Sequence, residues 1–147
     1  MTAEGSDSLS IVDIQDPSSP SIIGYVSSST AMLDPRDLAV SPDGNYVYVV
    51  GANSDSLAVI DVSDPTSPTI VASIIGDETN FDHPHGVATS NDGKYVYVGG
   101  TYGNSLAVVD VSDPTSPNPV GVTVDSSGMS FALRIALSPD GQFVFVV

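Results

Sequence analysis

The feature that most restricts the fold of this chain is a sequence unit that occurs three times along it. The first part of the unit reads "SLSIVDIQDPSSPSIIGYV" (8–26), "SLAVIDVSDPTSPTIVASI" (56–74) and "SLAVVDVSDPTSPNPVGVT" (105–123). The second part reads "DLAVSPDGNYVYVV" (37–50), "GVATSNDGKYVYVG" (86–99) and "RIALSPDGQFVFVV" (134–147). Successive copies are offset by 48 and 49 residues, as Leu9, Leu57 and Leu106 show. Self-similarity at such a period predicts a fold of equivalent, packed units.

Each unit contains four short runs rich in β-branched and aromatic residues, which is the signature of strands. In the middle unit these runs are "GVATS", "KYVYVG", "SLAVIDV" and "TIVASI". A tight turn, "SNDG" or "SPDG", joins the first two runs and places glycine where positive φ is needed. No window shows a helical period, so the chain is predicted to be all-β. Four antiparallel strands in a repeat of about 40–50 residues are typical of a β-propeller blade.

The repeat also resembles two known families. The arrangement "YVYVV…SLAVIDV" resembles the YVTN propeller repeat, and "LAVIDVSDPTSP" resembles the LVIVD repeat of bacterial and archaeal surface proteins. The resemblance covers the whole chain and implies a β-propeller with three four-stranded blades per chain. It implies little about activity, because propellers host many unrelated functions.

The unit is out of phase with the chain, so the expected blades are split at the ends. We expect one propeller region (1–147), divided into a half-blade 8–26, blades 36–75 and 85–124, and a half-blade 133–147. Closed propellers have about four to eight blades, so three are too few. We therefore predict a homodimer of six blades, in which the C-terminal strands of one chain complete the N-terminal half-blade of the other. A homotrimer of nine blades and an excised or engineered piece of a longer propeller are the alternatives.

The charge balance limits the partners. Lys and Arg number 3 against 18 Asp and Glu, for a formal net charge of -15. Nucleic acid and anionic membrane surfaces are excluded as expected partners, because both are bound chiefly through Lys and Arg. There is no cysteine for disulfide or thiolate chemistry. The start "MTAEGSDS" lacks the features of a signal peptide; the location is undetermined, with a cell-surface or extracellular parent suspected from the resemblance and the acidity.

Half of the acidic residues have a structural explanation in the repeat. They end the third strand, open the turn after it, or lie in the tight hairpin turn, where aspartate closes local turns. These nine are Asp13, Asp61, Asp110, Asp16, Asp64, Asp113, Asp43, Asp92 and Asp140. No calcium-loop pattern is present, and we expect neither a metal nor a cofactor.

The residues that break the repeat point to a candidate site. Counted from the hairpin glycines, Arg36 matches His85, Arg134 matches Asp37 and Gly86, and His83 matches Asp34. Both arginines and both histidines therefore fall near the start of the innermost strand, which borders the central channel of a propeller. We predict an anion site at the channel mouth, with Arg36 and Arg134 clamping a carboxylate or phosphate and His83 and His85 hydrogen-bonding it.

Two further interpretations concern the same region. The loops before the inner strands carry apolar side chains expected to form a wall of the site, namely Met32, Phe81, Met129 and Phe131. Alternatively, the arginines pair with Asp34, Asp37 or Asp82 and merely balance charge. The pair His83 and His85 is weak evidence for zinc, which needs three or four well-placed ligands.

Two functions from different classes fit the sequence. The first is a non-enzymatic propeller scaffold for assembly and for binding a protein or a small anionic ligand. The second is a lactonase-like enzyme acting on an anionic sugar lactone with a histidine as general base, because 6-phosphogluconolactonase-like propellers also carry YVTN-type repeats. No "GxSxG" elbow or other catalytic motif is found, which favours the scaffold.

Overall fold

The computed structural model describes residues 2–3, 5–76, 81–129, 131 and 133–147, and these residues form strands and turns without any helix. The predicted all-β class is confirmed. The strands are β1 Thr2–Ala3, β2 Ser8–Asp13, β3 Ser21–Ser27, β4 Pro35–Val40, β5 Tyr46–Gly51, β6 Ser56–Asp61, β7 Thr69–Ile75, β8 Pro84–Thr89, β9 Tyr95–Gly100, β10 Ser105–Asp110, β11 Asn118–Val124, β12 Ile135–Leu137 and β13 Val144–Val146. A search of the described residues finds no helix long and apolar enough to cross a bilayer.

The strands form four antiparallel sheets in chain order. Two of them have four strands, β4-β5-β6-β7 and β8-β9-β10-β11, and they are flanked by the sheets β1-β2-β3 and β12-β13. The first strands of successive sheets lie side by side, since β4 contacts β8 and β8 contacts β12. This is the arrangement of propeller blades, with these three strands innermost.

The turns repeat as closely as the strands do. Gly44, Gly93 and Gly141 have φ of 76°, 74° and 72°, as the tight hairpin turn requires. In the first of these turns the carboxylate of Asp43 accepts hydrogen bonds from the Ser41 hydroxyl at 2.6 Å and the Asn45 amide at 3.0 Å. All nine recurring aspartates accept such local bonds, so their predicted role in turns is confirmed.

The core lies on both sides of the sheet β4–β7. Val49 and Ile60 belong to a cluster shared with β2, and Val50 and Leu57 belong to a cluster shared with the sheet β8–β11. All four side chains are 0% exposed. Because side chains alternate between the faces of a strand, burial on both faces explains why β5 and β6 are almost continuously apolar.

The first strand adds a detail that the sequence analysis missed. The pairs Thr2↔Leu9 and Ala3↔Ser8 reproduce the pairs Val50↔Leu57 and Gly51↔Ser56 of the next blade. Thus β1 is the end of a second strand of the N-terminal blade, and it covers the beginning of β2. Among the described residues no strand lies on this side of β2 from Ile11 to Asp13.

Candidate functional site

The inner strands bring together three of the four residues predicted for the anion site. Arg36 on β4, His85 on β8, and Leu133 and Arg134 just before β12 line one cavity of about 340 Å³. They meet because the beginnings of β4, β8 and β12 lie at the same end of neighbouring strands. His83 is not among the residues that line this cavity.

Arg36 is held in place by an ion pair. Its Nη2 donates to Oδ2 of Asp34 at 2.6 Å, and the two side chains are 32% and 15% exposed. Asp37, another expected partner of the arginines, instead accepts bonds from the Leu38 amide at 2.9 Å and the Val87 amide at 3.2 Å. Asp34 therefore orients Arg36 at the cavity, whereas Asp37 ties β4 to β8.

The backbone of Arg134 is held by hydrogen bonds, and the residue is exposed to solvent. Its amide donates to the carbonyl of Val147 at 3.1 Å, and its carbonyl accepts from the Val147 amide at 3.0 Å. Its guanidinium forms no ion pair with any residue that the structure describes. The guanidinium of Arg134 can therefore donate hydrogen bonds to a ligand, and no salt bridge has to be broken first.

The two histidines occupy different positions. His85 is half-buried, with its Nε2 atom shielded from solvent. The ring of His83 lies 5.0 Å from the ring of His85 and stacks on Tyr102 at 4.4 Å with an angle of 8°. His83 therefore connects the cavity to Tyr102, which the sequence analysis missed. Tyr102 stands where the preceding repeat has Asn53. This difference between equivalent positions is the sequence signal that could have identified Tyr102.

A repeated hydrogen bond fixes the backbone of His83. The residue adopts φ of 53°, and its counterparts Asp34 and Phe131 adopt 58° and 57°. In each repeat the amide of this residue donates to a side-chain oxygen of the turn before the third strand, namely that of Asp7 (3.1 Å), Asp55 (2.8 Å) or Asn104 (3.3 Å). We call this contact the turn clamp. The sequence analysis missed it, although its acceptor recurs two residues before Leu9, Leu57 and Leu106.

The predicted apolar wall is wrong for Met32 and Phe81. Met32 and Phe81 are 0% exposed and belong to the core clusters. They pack over Gly51 and Gly100, where an added Cβ would stand 3.0 Å from the Cα atoms of Met32 and Phe81. The missing glycine side chains make room for these residues inside the blades, so they face the core instead of the channel. Phe131, by contrast, is 63% exposed, and Met129 is half-buried.

The acidic turns lie away from the cavity. Arg36 is near the start of β4, and Asp43 follows the end of this six-residue strand. At about 3.3 Å per residue the strand spans roughly 20 Å, more than the Debye length of about 8 Å at physiological salt. The hairpin carboxylates are therefore screened from the cavity despite the net charge of -15. Among the described residues no group of three acidic, histidine or cysteine side chains is placed to hold a metal ion.

Comparisons with known proteins agree with this geometry. The repeated four-stranded sheets and the side-by-side inner strands define a β-propeller. The chain belongs to the LVIVD repeat family, whose model matches residues 2–28, 34–75 and 87–124. The resemblance to LVIVD repeats is thus confirmed.

Solved structures show the same fold at low sequence identity. A protein from Lactobacillus plantarum is 24% identical, with a TM-score of 0.84 over 97% of this chain and 42% of its own. A Bacteroides uniformis protein provisionally described as a 6-phosphogluconolactonase is 18% identical, with a TM-score of 0.80 over 96% of this chain and 41% of its own. Hydrazine synthase of Kuenenia stuttgartiensis is 21% identical, with a TM-score of 0.63 over 84% of this chain and 32% of its own.

This chain therefore spans about two fifths of the first two proteins and one third of the third. No curated protein matches it significantly.

Proposed function

We propose that this chain is a non-enzymatic β-propeller scaffold that binds a small anion beside the first residues of its inner strands. One observation carries the proposal. Two of the three Lys and Arg residues, together with a histidine, line one cavity in a chain that has 18 acidic residues. The volume of about 340 Å³ is within the range of about 300–1,000 Å³ typical of ligand pockets.

The arginines explain how an anion is held. The guanidinium of Arg36 is oriented by Asp34, and that of Arg134 is exposed beside the same cavity. Planar guanidinium groups match the two oxygens of a carboxylate or phosphate and form charge-assisted hydrogen bonds with them. His85 adds a ring nitrogen as a further hydrogen-bonding group.

Phosphate binding by single-charge variants tests the proposal. Arg134→Ala should weaken binding of inorganic phosphate about 10-fold or more, because a hydrogen bond to a charged group contributes about 1.5–3 kcal/mol. Lys94→Ala removes the same charge from the hairpin turn where Lys94 lies 3.6 Å from Asp92, and it should leave binding unchanged. Isothermal titration calorimetry measures both, with circular dichroism to verify folding. Equal weakening by both variants, or none by Arg134→Ala, would contradict a specific site.

Self-association is a second part of the proposal. Between β2 and the sheet β4–β7 runs an apolar groove of about 400 Å³. Its lining includes Leu9, Ile11, Leu38, Val40 and Val47. We propose that β12 and β13 of a second copy occupy this groove and extend the sheet of β2.

The repeat supplies the register for this contact. In the blade β4–β7, Val47 pairs with Ile60 and Tyr48 pairs with Val59. The counterparts are Val144 with Val12 and Phe145 with Ile11, and Phe145 is 59% exposed. Light scattering should give a homodimer of twice the 15.1 kDa chain mass. A homotrimer would retain the groove contact with a different blade number, whereas a folded monomer would contradict self-association.

A lactonase is the alternative function. It is supported by the likeness to the Bacteroides protein and by a cavity that combines two arginines with His85. In that case His85 acts as general base on water attacking an anionic sugar lactone. Hydrolysis of 6-phosphogluconolactone above the spontaneous rate, lost in His85→Ala and retained in Lys94→Ala, would favour the enzyme over the scaffold.

A further inference from the structure

Beside the anion cavity lies a row of ring side chains that the anion site does not explain. His83 stacks on Tyr102 at 4.4 Å, and Tyr102 meets Phe131 edge-on at 6.3 Å with an angle of 89°. His83 in turn lies 5.0 Å from His85, which lines the cavity. We call His83, Tyr102 and Phe131 the ring row.

The ring row is unusual because two of its three members are largely exposed to solvent. Tyr102 is 58% exposed and Phe131 is 63% exposed. Neither is required by the repeat, since Asn53 stands in the place of Tyr102, and Asp34 and His83 stand in the place of Phe131. Tyr102 and Phe131 thus place two large aromatic side chains in the third repeat where the second repeat carries Asn53 and His83.

Phe131 also adopts a backbone conformation that is unfavourable for its residue type. Its φ is 57°, in the left-handed region that bulky residues rarely adopt and that asparagine and aspartate tolerate best. Asp34 suits the same conformation in the first repeat, at φ of 58°. Residues held in unfavourable conformations concentrate at functional sites, and the valid inference runs from the outlier to the function.

We propose that the ligand of the anion cavity is an acid with a planar ring, whose oxyanion lies between Arg36 and Arg134 and whose ring stacks on the ring row. This inference rests on the proposed anion site and specifies its ligand class. Tyr102 and Phe131 offer aromatic surface for stacking, and the nearby arginines hold the acidic end. A ligand with both groups gains affinity from each, while a bare anion uses the cavity alone.

Ligand pairs that differ by one ring test the proposal. Adenosine 5′-monophosphate should bind about 10-fold more tightly than ribose 5-phosphate, within the range measured for stacking of one base on an aromatic side chain. The carboxylate pair 3-phenylpropionate and propionate shows whether the acid is a carboxylate instead. Titration calorimetry on the intact chain gives the four dissociation constants.

Variants assign the preference to the ring row. Tyr102→Leu keeps an apolar side chain but removes the aromatic face, and it should abolish the preference for the ringed ligand without weakening the ring-free one. Tyr25→Leu is the matched control, because Tyr25 is an exposed tyrosine (71%) on β3. Phe131→Asn should reduce the preference while raising the melting temperature, since asparagine suits the left-handed backbone.

The outcomes separate this inference from the anion site itself. Arginine-dependent binding that is equal with and without a ring would overturn the ring inference and leave the anion site standing. A ring preference that survives Tyr102→Leu would overturn it as well. If neither member of either pair binds, the anion site and the ring inference both fail.

Discussion

Strands β6 and β10 have almost the same sequence, "SLAVID" and "SLAVVD", and yet they are buried differently. Every residue of β6 from Ser56 to Ile60 is buried, whereas burial alternates along β10 from Ser105 to Asp110. Leu57 and Val59 are 0% exposed, while their counterparts Leu106 and Val108 are half-buried.

The difference comes from the neighbours of the two blades. The sheet β4–β7 has the sheet of β2 on one face and the sheet β8–β11 on the other. The far face of β8–β11 meets the two-stranded sheet β12–β13, which reaches β8 and β9. The repeat therefore gives each blade the side chains for burial on two faces, and the presence of a full neighbouring blade decides whether both faces are used.

The largest expected effect comes from truncating the same leucine in the two blades. Leu57→Ala should lower the free energy of unfolding by about 2–5 kcal/mol, because it removes a fully buried side chain and leaves a cavity. Leu106→Ala should cost clearly less, since its side chain is only half-buried. Urea denaturation followed by circular dichroism measures both.

The same two leucine variants also test whether another blade covers the sheet β8–β11 when the chain assembles. If a further blade covers β8–β11 in solution, Leu106→Ala should cost as much as Leu57→Ala and should also shift the assembly equilibrium. Equal costs in a monomer would mean that the burial difference between β6 and β10 has no energetic consequence.

Breaking the turn clamp should have the next largest effect. Asp55→Ala removes the acceptor of the part-buried His83 amide and should cost about 1 kcal/mol or more, since the donor is left without its hydrogen bond. Asp55→Asn keeps an acceptor oxygen and copies Asn104, which holds the amide of Phe131 in the third repeat. It should therefore be close to neutral in thermal melts. A large loss with Asp55→Asn would show that the charge of Asp55, not its oxygen, holds the loop.

A smaller and more local effect is expected at Gly86. An added Cβ there would stand 3.1 Å from the amide nitrogen of Ile135 and 3.2 Å from the Cα of Arg134. Gly86→Ala should push the segment before β12 away from β8, weaken phosphate binding a few-fold and leave the clusters around β6 intact. Gly121→Ala, where the added Cβ reaches Val108 at 4.0 Å, is the control. Unchanged phosphate binding in Gly86→Ala would separate Arg134 from the cavity.

The smallest difference between the blades should appear in their acidic turns. Hydrogen bonds from the Thr66 hydroxyl and amide hold the pKa of Asp64 below 3.8, and those from Thr115 do the same for Asp113. A lowered folded-state pKa stabilises the fold above 3.8, and this contribution is lost as pH falls through the folded pKa. Melting temperatures at about 0.5 M salt, which screens general repulsion, should therefore fall below pH 4.

Because both turns are solvent-exposed and alike, Asp64→Asn and Asp113→Asn should reduce this acid sensitivity equally. Thermal melts of the two variants at pH 7 and pH 3 make the comparison. If only one of the two substitutions reduces the acid sensitivity, the two turns are not equivalent, just as β6 and β10 are not equally buried.

Much of the fold was predictable because it depends on short-range rules. Short runs of β-branched and aromatic residues specify strands, Gly44 and its counterparts specify the hairpin turns, and Asp64 and its counterparts close local turns with their own neighbours. The approach of Arg36, His85 and Arg134 was also predictable, since the beginnings of successive inner strands must lie side by side. These inferences need the repeat and the pleat of a strand and no further information.

Other features depended on contacts between repeats. Met32 and Phe81 were expected at the channel, but the space over Gly51 and Gly100 admits them into the core. Asp34 was one of several carboxylates close to Arg36 in sequence, and the structure shows it paired with the guanidinium. The stacking of Tyr102 on His83 joins a turn of one strand pair to the start of an inner strand, which sequence spacing does not reveal.

By itself, the sequence determined the blade, its turns and the end of the inner strand where the basic residues collect, because each follows from the period of the repeat. The tertiary structure decided which faces of equal strands are buried, which acid pairs with Arg36, and that the exposed rings of Tyr102 and Phe131 lie beside His83. Those outcomes depend on the packing of one repeat against the next, and copies of nearly the same sequence cannot encode how their neighbours differ.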